Sequence, residues 1–215
     1  MEVIMMKLLW KHIKFICDKY ACLKKIVVII FISITLLLVG CSKQNFEFKE
    51  LSFESESGNS IIYYGIESYT GNENEVVIPN TYKNCEVRYI FSKSFALQNI
   101  KSVDVGKVKQ IWDYAFKNCL FLENVDLRNV EHIGAHAFYS CKRLKTIVIP
   151  ASIVTIETGA FSCCDMLESV YFMGNPQDLQ SGIFGDNKNI TIYGMAGGNV
   201  EQYATNEGLP FSTLS

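Results

Sequence analysis

Val108–Cys119 reads VKQIWDYAFKNC, Val130–Cys141 reads VEHIGAHAFYSC and Ile153–Cys164 reads IVTIETGAFSCC. All three follow one pattern, apolar-x-x-Ile-x-x-x-Ala-Phe-x-x-Cys. Each runs on into a leucine and alternating apolar residues: Leu122, Val125 and Leu127; Leu144, Ile147 and Ile149; Leu167, Val170 and Phe172. A weaker copy precedes them, carried by Val87, Ile90, Ser94, Phe95, Ile100, Val103 and Val105. Phe95, Phe116, Phe138 and Phe161 fall at intervals of 21, 22 and 23 residues. A unit of this length cannot close a core alone. It buries its apolar side chains only by stacking on its neighbours, and the pattern therefore predicts a solenoid.

The recurring positions have plain structural meanings. Alternation in Val125-x-Leu127, Ile147-x-Ile149 and Val170-x-Phe172 predicts a short strand with one buried face. The step from Ile111 to Ala115 carries the chain round a corner, where alanine lets two coils approach and Phe116 fills the interior. Phe138, with a unit on both sides, is expected to matter more than Phe95, which sits in the degenerate first copy. After Gly174 the phase is lost through Asn175-Pro176-Gln177-Asp178, and Ile183-Phe184 reads as a truncated last unit. Outer units that lose the pattern act as caps. The predicted fold is a repeat solenoid, mainly β: a short leucine-rich stack of about four to five units of 21–23 residues with N- and C-terminal caps.

Val130, Ile133, Ala137-Phe138, Cys141, Leu144, Ile147 and Ile149-Pro150, with their counterparts one repeat either side, resemble the BspA-type leucine-rich repeat family. Glu75-Val76-Val77-Ile78-Pro79 is similar to that family's opening strand. Thr191-Ile192-Tyr193-Gly194 through Pro210-Phe211 is similar to its closing segment, with a short helix over Asn199 to Glu207. The family occurs largely on bacterial surfaces, and the resemblance implies adhesion or binding outside the cell. It is united by its scaffold, so fold follows more directly than function.

The amino-terminal segment has a different character. Lys24-Lys25 precede an apolar or small run from Ile26 to Gly40, 15 residues long. A spanning helix wants about 20 residues, whereas ~7–15 suits the core of a signal peptide. The run ends Leu38-Val39-Gly40-Cys41, which looks like a lipobox, with Cys41 as the lipid attachment residue. An uncleaved single-span anchor is the alternative, and its lysines would still place the downstream domain outside. The predicted organisation is a leader over 1–40, a polar tether and start of cap over 41–60, an N-terminal β cap over 61–86, repeats over 87–193 and a C-terminal cap over 194–215.

Beyond Cys41 the chain carries 14 basic and 20 acidic residues, a net charge of −6. Nucleic-acid binding needs a basic stripe, so no nucleic-acid partner is expected. Five of the eight cysteines follow Cys41, an odd number. Cys119, Cys141 and Cys164 share one repeat position and form a ladder. Parallel strands ~4.8 Å apart hold their Cβ atoms farther apart than the ~3.8 Å a disulfide prefers. They are expected to be reduced and buried, as small hydrophobes. Such a ladder cannot supply a tetrahedral metal site.

No nucleotide loop, serine-nucleophile elbow or zinc-protease motif is present. His132 and His136 fall at variable strand and corner positions. Cys163-Cys164-Asp165 lacks a base, and Gly194-Met195-Ala196-Gly197-Gly198 lacks phosphate-loop spacing. No enzyme activity and no cofactor is expected. What remains is a surface, because variable side chains on a regular frame are how solenoids make binding faces. The outward strand positions Asp104, Asp126, Val148 and Tyr171 align across repeats, flanked by Asn124 and Thr146 on one side and Arg128 and Met173 on the other. This strip covers on the order of 250 Å², against ~800 Å² per partner in a standard interface. The expected role is a lipid-anchored binding or adhesion module for an extracellular protein or glycan. A structural subunit docking on another envelope protein is the alternative, and an enzyme or enzyme inhibitor a remote one.

Overall fold

The computed structural model describes residues 45–54 and 58–214, so the leader and Cys41 lie outside the described residues. The strands are β1 (Phe46–Glu54), β2 (Ser60–Tyr69), β3 (Glu75–Val77), β4 (Thr81–Tyr82), β5 (Cys85–Ile90), β6 (Ser102–Asp104), β7 (Gln110–Ile111) and β8 (Asn124–Asp126). There follow β9 (His132–Ile133), β10 (Thr146–Ile149), β11 (Thr155–Ile156), β12 (Ser169–Phe172), β13 (Asp178–Leu179) and β14 (Thr191–Gly194). Helix α1 (Asn199–Glu207) and β15 (Phe211–Thr213) close the chain. One long sheet runs β1-β2-β5-β7-β9-β11-β13, with β4 on β5, and forms the back of the stack. The front carries two sheets, β3-β6-β8 and β10-β12-β14-β15.

The solenoid makes about seven turns, more than the four to five units the sequence predicts. Two stretches account for the difference. Phe184 is buried and stacks on Phe161 at 6.0 Å, while β13 pairs with β11, so the apparent truncated unit is a complete coil. At the other end, β1 occupies nine residues of the segment read as tether and start of cap. It is antiparallel to β2, and it is held by aromatic contacts as well as by its ladder. Phe46 packs against Tyr69 and Phe95, and Phe48 lies flat on Tyr82 at 4.0 Å.

The corner explains how such different sequences keep one path. Each turn places two residues in the left-handed region: Lys93 and Leu97, Tyr114 and Asn118, His136 and Ser140, Gly159 and Cys163, Gly182 and Gly185. In the last coil, where Ala-Phe has become Ile183-Phe184, Gly182 holds the equivalent entry position without the Cβ penalty, and the second left-handed residue, Gly185, comes one place earlier than in the other corners. Around the corner the amides alternate in their bonding. Ala115, Lys117 and Cys119 donate within their own turn, whereas Tyr114, Phe116 and Asn118 donate to Ala135, Ala137 and Tyr139 of the following coil. The final coil has no following coil to accept. There, α1 supplies the acceptors: Gly182 N donates to Glu207 Oε1 at 3.0 Å and Ile183 N to the Tyr203 hydroxyl at 3.2 Å.

Inside the corner, Phe95, Phe116, Phe138 and Phe161 stack at centroid separations of 4.8, 5.0 and 5.1 Å. Phe95 is fully buried and continues the column into Tyr69 at 5.1 Å, so its degenerate repeat leaves it as well packed as Phe138. Cys119, Cys141 and Cys164 are buried, and their role is more specific than that of a small hydrophobe. Each thiol points at the carbonyl oxygen of the preceding column phenylalanine: Phe95 at 3.0 Å, Phe116 at 3.4 Å and Phe138 at 3.2 Å. Cys85 is half-buried and Cys163 exposed.

Candidate functional site

The front of the stack is where the sequence predicts a binding face. Val103, Ile147, Ile149, Val170, Phe172 and Ile192 point into the core, which turns Asp104, Asn124, Asp126, Thr146, Val148 and Tyr171 outward. The predicted eight-residue strip is nevertheless two half-strips, because β8 and β10 share no ladder.

The break coincides with a change in corner length. Val103 to Ile111 and Val125 to Ile133 span 8 residues, whereas Ile147 to Ile156 and Val170 to Leu179 span 9. The short corners leave the strand through Asx turns, with Gly106 N donating to Asp104 Oδ1 at 2.8 Å and Arg128 N to Asp126 Oδ1 at 3.2 Å. The longer corners leave through Ile149-Pro150 and Phe172-Met173. β6 pairs with β8 and β10 with β12, and β3, which leaves through Ile78-Pro79, pairs with β6. Between β8 and β10 pairing fails on the front, while β7, β9 and β11 remain continuous behind.

The two halves differ in chemistry. In the first, Arg128 bridges Asp126 and Asp104, reaching Asp104 Oδ2 at 2.9 Å. Its hydrogen bonds hold the Asp126 carboxyl below the usual carboxylate range. Asp104, Asp126 and Arg128 are therefore largely occupied with one another and with their own corners. In the second half, Val148, Tyr171 and Tyr193 lie in register across β10, β12 and β14. The Tyr171 and Tyr193 rings stack at 4.5 Å, and Val148 and Met173 are 48 % and 55 % exposed. Tyr193 is a member that sequence reasoning missed. Its alternation in Thr191-Ile192-Tyr193 was visible, but the segment reads as a closing cap.

Between the halves lies a cleft of about 470 Å³, lined by Glu123, Asn124, Arg143, Lys145, Thr146 and Met166. It brings together two predicted face residues, Asn124 and Thr146, and adds four that lie at strand entries and corners, outside the outward strand positions. Arg143 lies over the Phe121 ring at 4.8 Å and reaches Glu123 at 3.5 Å. His132 and His136 lie outside this cleft. His132 Nε2 lies 3.2 Å from Glu157, and His136 stacks on Tyr114 at 5.2 Å. His136, Tyr139, Cys163 and Asp165 line a separate corner cleft of about 470 Å³.

Stacked parallel coils, a phenylalanine column and a variable outward sheet define a leucine-rich repeat protein. The chain belongs to the BspA type leucine rich repeat family, whose model matches residues 59–191 in six copies. Among solved structures it is similar to a leucine-rich repeat protein of T. pallidum, at 25% identity and a TM-score of 0.60, covering 72% of this chain and 70% of that one. It is also similar to a leucine-rich repeat protein of Bacteroides capillosus (27% identity, TM-score 0.43, covering 58% of this chain and 94% of that one). A leucine-rich cell surface protein of Faecalibacterium prausnitzii matches at 19% identity and a TM-score of 0.36, covering 66% of this chain and 52% of that one. No curated protein matches the chain.

Proposed function

We propose that this protein is an exported binding module that engages an extracellular protein or glycan through the second half of its front sheet. One observation carries the reading: Val148, Tyr171 and Tyr193 form an outward, in-register row, with exposed Met173 two residues beyond Tyr171. Aromatic residues and methionine are enriched in interface cores, and a stacked tyrosine pair offers contact area at low entropic cost. Asp104, Asn124, Asp126, Arg128 and Thr146 form the polar remainder of the face. The role is non-catalytic and uses no cofactor.

Lys24-Lys25, the apolar run to Gly40 and Leu38-Val39-Gly40-Cys41 support export and lipid attachment at Cys41. Because β1 opens at Phe46, only residues 42–45 separate that cysteine from the folded module. Such a tether reaches about 17 Å at most, holding the module close to the membrane. A small face binds weakly in one copy, and a membrane array supplies avidity. The test is capture from host matrix and from the cell's own envelope extract, comparing wild type with Tyr171→Ala and Tyr193→Ala. Loss of one captured species in both variants is expected. Capture from envelope extract alone favours the envelope-subunit role, and undiminished capture by both variants rejects the face.

A further inference from the structure

The seam between β8 and β10 has consequences for chemistry as well as for packing. In most coils, the carbonyl before the front strand accepts from the coil that follows. Asn74 O accepts from Lys101 N and Ser102 N, Lys101 O from Glu123 N and Asn124 N, and Lys145 O from Glu168 N and Ser169 N. Glu123 O holds the equivalent place at the seam. Among the described residues it receives no such pair, and Lys145 N and Thr146 N donate to no protein acceptor. Two neighbouring amide donors thus belong to residues that line the 470 Å³ cleft. That volume lies within the ~300–1,000 Å³ of small-ligand sites.

Charge points the same way. Glu123 is matched by Arg143, whose guanidinium is also held on Phe121. Lys145 forms no ion pair among the described residues. The cleft therefore carries one surplus cation beside two open amide donors, on a module whose net charge beyond Cys41 is −6. An isolated carboxylate suits that arrangement, whereas a dense polyanion is repelled by the surrounding field. Asn124 and Thr146 add hydroxyl-matching amide and hydroxyl groups, and Met166 an apolar wall.

We propose that the seam cleft binds an acidic sugar unit of a glycan, its carboxylate on the Lys145 ammonium and the Lys145 and Thr146 amides, its hydroxyls on Asn124 and Thr146. This rests on, and narrows, the binding role assigned to the front sheet. A peptide strand is disfavoured here because the continuous back sheet keeps the two coils neighbours, leaving room for a ring rather than for an inserted strand.

The full-length protein in detergent is titrated calorimetrically with monomeric galacturonic acid and with sialyllactose, against neutral lactose and a peptide bearing a single glutamate. At least one acidic sugar is expected to bind at least 10-fold more tightly than lactose and the peptide. Lys145→Gln should weaken that binding about 10-fold with an unchanged melting temperature, while Lys109→Gln, outside the cleft, should leave it intact. Equal affinity for lactose and both acidic sugars, equal affinity for the peptide, or indifference to Lys145→Gln overturns the assignment. Retained target capture by Lys145→Gln together with its loss in Tyr171→Ala would leave the front-sheet role standing and remove only this site.

Discussion

Phe138→Ala tests the stacking register most directly. Phe138 is fully buried and lies between Phe116 at 5.0 Å and Phe161 at 5.1 Å, each within 1° of parallel. Truncation removes the ring from water-free surroundings, leaves a cavity that two flanking coils cannot collapse, and deletes two aromatic pairs. Such changes cost about 3–5 kcal/mol, of which each pair supplies roughly 0.5–1.5. For a domain of this size that is a fall in melting temperature on the order of 6–20 °C. Phe95→Ala should cost as much, because Phe95 is equally buried and lies between Tyr69 and Phe116. Denaturant melts of the two variants against wild type provide the measurement. If Phe95→Ala costs less than half of Phe138→Ala, the aromatic column does not continue into Tyr69 of β2.

Burial pushes the Cys119 thiol up to about 12 from 9.0, and the Cys141 thiol in the same direction. Unfolded thiols ionise near 9, so above that pH the unfolded chain holds fewer protons and stability falls, by up to ~1.4 kcal/mol per pH unit for each thiol. Melts between pH 8 and 11 should decline more steeply for wild type than for a Cys119→Ser, Cys141→Ser variant; parallel declines would show that folding does not raise the pKa of these two thiols. Leu97 is 73 % exposed at φ 66°, where a branched side chain is disfavoured. Leu97→Asn should therefore stabilise by about 1 kcal/mol, and a loss would assign Leu97 a contact of its own. In the native host, Cys41→Ala should abolish labelling by a fatty-acid analogue, and an unlabelled wild type rejects lipid attachment.

The core was legible in the sequence because stacking demands the same residue at the same place in every turn. Ile111, Ala115, Phe116, Cys119 and Leu122 announce themselves through Ile133, Ala137, Phe138, Cys141 and Leu144. The first and last coils were not legible, because the corner can be satisfied by backbone conformation alone. Gly182 keeps the corner's left-handed entry without preserving the pattern, and Tyr69 extends a phenylalanine column from a segment that lacks the Ala-Phe motif. The divided front was written in the sequence as a spacing. The change from 8 to 9 residues between Val125–Ile133 and Ile147–Ile156 is plain to count. Its consequence needs the register of both faces at once, since at that step the ladder behind is continuous and the one in front is interrupted. The cleft residues Arg143, Lys145 and Met166 were invisible for that reason.

The corner amides give the stack a direction. Each coil hands its Tyr114-, Phe116- and Asn118-type N–H groups to the coil after it, so the protection of these corner amides from solvent exchange is governed by that successor, whereas strand amides such as Asn124 N and Gly134 N donate to the coil before. Opening of α1 would deprotect Gly182 and Ile183 at once, and loss of the coil containing them would expose Gly159 and Phe161 next, long before Phe95 or Leu97. Exchange rates read along the phenylalanine column would then rise toward the carboxyl end like tree rings toward the bark, and their gradient would tell from which end the molecule begins to unravel.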